Sequence, residues 1–118
     1  MPPHYAGPSS KIENSMVAEG CDIEGETDFS VLFDGVVIEE GATVRYSIIM
    51  PNTIVKKGAV IEYSIIGEEC TIGEGAHIGE RPENVENRDE WGVAVVGNQI
   101  KVSDRAVIAP KAMISQDV

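Results

Sequence analysis

Few residues in this sequence are equipped for chemistry. The segment "GEGAHIGE" (residues 73–80) contains His77, one of two histidines in 118 residues. An imidazole changes charge near neutral pH, so His77 is the first side chain to weigh for chemistry. The plain alternative is a surface histidine. His4 is its only companion, so a three-histidine zinc site cannot form within one chain. The glycines of the same segment resemble a phosphate-cradling loop. Their spacing departs from the dinucleotide fingerprint and no helical period follows, so they are assigned to turns. Arg45, Lys56, Lys57 and Lys101 are the basic side chains that could contact a small anionic effector, although Lys56 and Lys57 also suit a solvated turn.

Bulk properties remove several partners. The formal net charge is -11, which disfavours nucleic acid and anionic membrane surfaces. No run of 18 apolar residues is present, and the first residues lack the charged and apolar regions of a signal peptide. A cytoplasmic protein is expected. Aromatic residues make up 5%, so the core must be aliphatic.

The elements that position these residues follow from an internal repeat of seventeen. "SVLFDGVVIEEGATVRY" (30–46) overlays on "SIIMPNTIVKKGAVIEY" (47–63), and that on "SIIGEECTIGEGAHIGE" (64–80). Aliphatic residues recur at intervals of six, six and five: Leu32, Ile38, Val44, Ile49, Val55, Ile61, Ile66, Ile72 and Ile78. Two positions before each stands a smaller residue, such as Ser30, Ala42, Ser47, Thr53 or Cys70. Extended chain alternates faces with period two, so both residues point inward. Three short strands per repeat make a triangular coil, and parallel stacking of coils makes a solenoid. The predicted fold is all-β, a single-stranded left-handed parallel β-helix built from hexapeptide repeats. Its handedness is implied only by resemblance to such proteins, because sterics alone favour right-handed crossovers.

The predicted organisation is an entry linker at 1–11 and a β-helix over 12–118. A charged excursion interrupts it at 80–94, with Trp91 as a possible anchor to another domain or subunit. Cys21 and Cys70 occupy the same inward column three coils apart, roughly 14 Å at about 4.8 Å per strand, too far for a disulfide. Two buried, reduced thiols are expected. On the outer side, Val31, Phe33, Ile48, Met50 and Ile65 form an apolar stripe without a charge. Large exposed apolar patches mark interfaces, so the stripe is the predicted contact surface. Cover by another part of the same chain is the alternative.

"PPHYAG", "NSMVAEGCDIEG", "SVLFDGVVI", "SIIMPN" and "IGEGAHIGERPE" resemble the C-terminal region of bacterial glucose-1-phosphate adenylyltransferase (ADP-glucose pyrophosphorylase). That resemblance implies an oligomerisation and allosteric-regulatory domain, inactive by itself and without a cofactor of its own. An N-terminal nucleotidyltransferase domain would be its partner, in a homo- or hetero-tetramer. That domain would use magnesium and ATP to make ADP-glucose and pyrophosphate from glucose 1-phosphate for glycogen biosynthesis. Glu68, Asn98 and Val102 stand where enteric-type members carry activator-binding arginines, which implies a different effector. The other readings are a small hexapeptide-repeat acyltransferase, which would need an acyl-CoA site and a working His77, and a free-standing β-helix scaffold.

Overall fold

The computed structural model describes residues 5–7 and 10–118. Strands of two or three residues follow one another, and every third strand joins the same parallel sheet. The first sheet stacks Tyr5–Ala6, Asp22–Ile23, Val37–Ile38, Ile54–Val55, Thr71–Ile72 and Lys101–Val102. The second stacks Lys11–Glu13, Glu26–Asp28, Thr43–Arg45, Val60–Glu62, His77–Ile78 and Val107–Ile108. The third stacks Met16–Val17, Val31–Leu32, Ile48–Ile49, Ser64–Ile66, Ala94–Val96 and Met113–Ile114. The three sheets form a left-handed parallel β-helix measuring 42 × 27 × 20 Å. Tyr5–Ala6, within the segment expected to be a linker, pairs with Asp22–Ile23.

The six-residue beat fills the interior as the alternation requires. Ile38, Val44, Ile49, Val55, Ile61, Ile66, Ile72 and Ile78 are all 0% exposed and Leu32 is 1%. Each such side chain stabilises the coil by about 1.5–3 kcal/mol relative to exposure. The stacking register pairs Leu32 with Ile49, Ile49 with Ile66, and Val55 with Ile72. Cys21 and Cys70 are buried and unpaired, and desolvation raises both thiols above their ordinary value. Among the described residues, no helix is long and apolar enough to cross a membrane.

Corners are turned by residues with positive φ. At the corner after the second sheet these are Asn14, Phe29, Tyr46 and Tyr63, at φ 47–51°. This conformation costs a non-glycine residue about 1–2 kcal/mol. Stacking offsets part of that: Phe29 lies 5.0 Å from Tyr46, and Tyr46 lies 4.8 Å from Tyr63, each pair within 7° of parallel. The next residue is the repeated serine. Ser47 Oγ donates to the Arg45 carbonyl at 2.8 Å, across the left-handed Tyr46, and accepts from Ser64 N at 3.1 Å in the next coil. Ser30 does the same with Asp28 and Ser47.

The chain leaves the coil at Gly79, one residue before this corner. Gly79 has φ +76°, and a Cβ there would collide with the Glu62 carbonyl and the Ser64 hydroxyl. Gly79→Ala is therefore expected to cost at least about 1–2 kcal/mol and to shift the excursion that follows. Chemical denaturation and the fluorescence of Trp91, the sole tryptophan, check this. An unchanged midpoint with an unchanged spectrum would refute it.

Candidate functional site

Outward positions of the second sheet stack as Lys11, Glu26, Thr43, Val60, His77 and Val107. Beside them runs Glu13, Asp28, Arg45 and Glu62. His77 and Glu62 thus approach diagonally across neighbouring coils. The excursion supplies the remaining groups. Two 3-10 turns, Pro82–Asn84 and Arg88–Glu90, fold it back over the corner. Trp91 packs edge-on against Tyr63 at 5.5 Å, and its Nε1 donates to the Glu80 carbonyl at 2.7 Å. Lys111 Nζ donates to the Asp89 carbonyl at 2.9 Å. The sequence offered Trp91 as an anchor to another domain or subunit; the structure shows it docked on the chain's own aromatic corner.

Glu62 is 5% exposed although it faces outward, because the excursion covers it. A buried carboxylate needs partners. Arg81 Nε donates to its Oε2 at 2.9 Å, and Arg45 Nη1 approaches the same oxygen at 3.5 Å. The Glu62 carboxylate raises Arg81 further above its ordinary value. Glu80 is held similarly: its Oε1 accepts from the Arg81 backbone at 3.1 Å and from Asn84 Nδ2 at 3.0 Å. The Asn84 hydrogen bond, followed by that from Arg81, holds the Glu80 carboxyl below its ordinary value. The second oxygen of each glutamate faces the imidazole. His77 Nε2 lies 3.9 Å from Glu62 Oε1 and 3.8 Å from Glu80 Oε2. It is closed off from solvent and has no hydrogen-bond partner. Among the described residues, these three are the one cluster of metal-capable side chains.

Of the sequence candidates, His77 and Arg45 come together here. Arg45 lies between Glu62 and Glu26, the latter at 4.0 Å. Lys56, Lys57 and Lys101 belong to the first sheet and the corner leading out of it. Lys57 lies one coil from Gly75, whose amide donates to the Lys57 carbonyl at 3.0 Å. His4 lies outside the described residues. Sequence reasoning missed Glu62, Glu80 and Arg81. The seventeen-residue stacking could have placed Glu62 beside His77, whereas the excursion has no period from which to place the other two. On the third sheet Val31, Ile48 and Ile65 stack in register with Met16, Val95 and Met113, flanked by Phe33 and Met50. Ile48 is 36% exposed and Phe33 39%.

A family model for the GlmU-like C-terminal hexapeptide matches residues 4–97. A glucose-1-phosphate adenylyltransferase of Acetivibrio thermocellus is 37% identical over 96% of the chain, which spans 28% of that protein. The acetyltransferase domain of PglB from Neisseria gonorrhoeae FA1090 superimposes on 96% of the chain with a TM-score of 0.78 and 24% identity, over 51% of its own length. The same domain in complex with acetyl coenzyme A superimposes on 91%, with a TM-score of 0.72, 21% identity and 51% of its own length covered.

These findings correct the narrower expectation. The matched family is the hexapeptide coil, and the chain spans little more than a quarter of the adenylyltransferase it resembles. The coil is one that acetyltransferase domains also use, so an assembly and regulatory fragment for glycogen biosynthesis no longer stands. The expected inactivity is overturned by the Glu62, His77 and Glu80 grouping, a potential site within the chain itself. The expectation of magnesium and ATP falls with the adenylyltransferase reading; the solved neighbour of this fold that holds a ligand holds acetyl coenzyme A. The expected nucleotidyltransferase partner and tetramer rested on the adenylyltransferase reading and are set aside with it; the family match covers the hexapeptide coil, residues 4–97.

Proposed function

We propose that this chain, a member of the GlmU-like C-terminal hexapeptide family, transfers an acyl group from coenzyme A to an amine or hydroxyl acceptor. The observation that carries the reading is the His77 imidazole, flanked by two carboxylates whose far oxygens are already held. The solved acetyltransferase domains of the same fold support it. Acyl coenzyme A would supply the acyl group as a thioester. The exposed part of the His77 ring takes the proton from the acceptor as it attacks the thioester carbonyl, and the carbon–sulfur bond breaks to release the thiolate. Glu62, fixed by Arg81 and Arg45, and Glu80, fixed by Asn84, stabilise the imidazolium that forms. Lys57, one coil from the segment leading to His77, with Lys56 and Lys101, offers positive charge to the phosphates of coenzyme A. Buried unpaired thiols at Cys21 and Cys70 accord with a reducing, cytoplasmic setting.

Thiol release from acetyl coenzyme A, followed with a panel of amino and hydroxyl acceptors, tests the reading. Acceptor-dependent release supports it. Release no faster than in buffer across the panel overturns it.

The third sheet's outer stripe, Val31, Ile48 and Ile65 with Phe33 and Met50, is proposed as the surface that meets another polypeptide. Phe33→Asp with Ile48→Asp is expected to reduce the associated fraction in sizing while circular dichroism stays unchanged. Identical elution of parent and variant would count against a contact there.

A further inference from the structure

We propose that Glu62 Oε1, His77 Nε2 and Glu80 Oε2 form a binding site for a divalent transition-metal ion of the zinc type. The three atoms lie within 4.8 Å of one another. Nε2 stands 3.9 Å and 3.8 Å from the two oxygens. Two ligands about 2.0–2.1 Å from a tetrahedral ion are separated by roughly 3.4 Å, so the two imidazole–carboxylate distances need contract by only about half an ångström, and three protein ligands leave a fourth position open.

Two further observations point inward. First, the ligand atoms are the ones that the protein leaves free. Glu62 Oε2 is taken by Arg81 and Arg45, and Glu80 Oε1 by Asn84 and the Arg81 amide. Such outer contacts fix carboxylates in metal sites and orient the remaining oxygen. Second, His77 Nε2 is shielded from solvent and has no hydrogen-bond partner. When neutral with its lone pair at Nε2, the ring turns that lone pair toward two carboxylates. When protonated there, it finds no acceptor within hydrogen-bond range. A cation between the three atoms removes both conflicts. One imidazole nitrogen with two carboxylates selects zinc, cobalt or manganese over magnesium or calcium, which prefer all-oxygen shells.

The inference goes beyond the acyl-transfer reading. A metal on Nε2 puts positive charge on the ring that must take up a proton, so zinc bound there would suppress the acyl transfer. Binding is measured without turnover, and a chain that binds zinc but transfers no acyl group refutes only the reading above.

The test uses the full chain, stripped with a chelator and titrated calorimetrically with zinc chloride at about pH 7.5, because metal binding needs deprotonated ligands. The expected result is saturation near one zinc ion per chain, not displaced by excess magnesium. His77→Gln and Glu80→Gln should each weaken binding by about tenfold or more. His4→Gln should leave it unchanged. Cobalt should give a visible absorption band that His77→Gln abolishes. Both ligand variants alter outward side chains, and far-ultraviolet circular dichroism verifies that the coils persist. A parent that takes up no zinc, or a folded His77→Gln that binds as tightly as the parent, overturns the site.

Discussion

Replacing His77 by alanine is expected to lower acyl transfer by about 10²–10⁴-fold, the usual contribution of a positioned general base. The loss should fall on kcat and on kcat/KM for the acceptor, with KM for acetyl coenzyme A little changed. A proton-transfer group acts in the transition state and does not hold the bound thioester. His77 faces out from the strand His77–Ile78 and contributes nothing to the interior, so the thermal midpoint should move little. Glu62→Gln should cause a smaller loss, because it removes the charge beside the imidazolium and leaves the base in place. Steady-state thiol release with parent and variants decides the matter. An alanine variant within threefold of the parent would remove His77 from the mechanism.

Ser47→Ala is expected to cost about 2–3 kcal/mol, more than removal of one hydroxyl would suggest. Ser47 Oγ accepts a hydrogen bond from the Ser64 amide, which is buried in the next coil. Alanine leaves that amide without a partner, and an orphaned buried donor costs about 1–3 kcal/mol. It also removes the bond to the Arg45 carbonyl that braces the left-handed Tyr46. In a chain of this size the thermal midpoint should fall by roughly 6–15 °C. Ser115→Ala, at an exposed position, should stay within about 0.5 kcal/mol. Ser47→Cys should recover part of the loss. Cys70, at another corner, donates from Sγ to the carbonyl of Glu68, two residues back, at 3.7 Å. Equal midpoints for Ser47→Ala and Ser115→Ala would show that the serine column is not structural.

The coil was legible because its physics is local and repeated. Alternation of faces puts Ile49 inward and Ile48 outward with no knowledge of tertiary contacts. A period of seventeen then stacks Leu32, Ile49 and Ile66, and the structure pairs them in that register. The pairing of serines through their hydroxyls was not legible. Stacking predicts that Ser47 and Ser64 are neighbours, but the hydroxyl direction depends on the left-handed corner, which the letters before each serine (Phe29, Tyr46, Tyr63) disguise. Bulky residues seldom adopt positive φ, and stacking with the rings above and below makes it tolerable here.

The site divides the same way. The sequence alone determined that His77 points out of the coil on the side that also carries Arg45, since both follow from alternation and period. It did not determine that a buried carboxylate stands beside the imidazole. That required the excursion after Gly79 to fold back, dock Trp91 on Tyr63 and bring Glu80 and Arg81 over Glu62. Aperiodic segments are placed by contacts between residues distant in sequence, and no repeat announces those contacts. The tertiary structure therefore decided what surrounds His77, and with it the chemistry the imidazole can do.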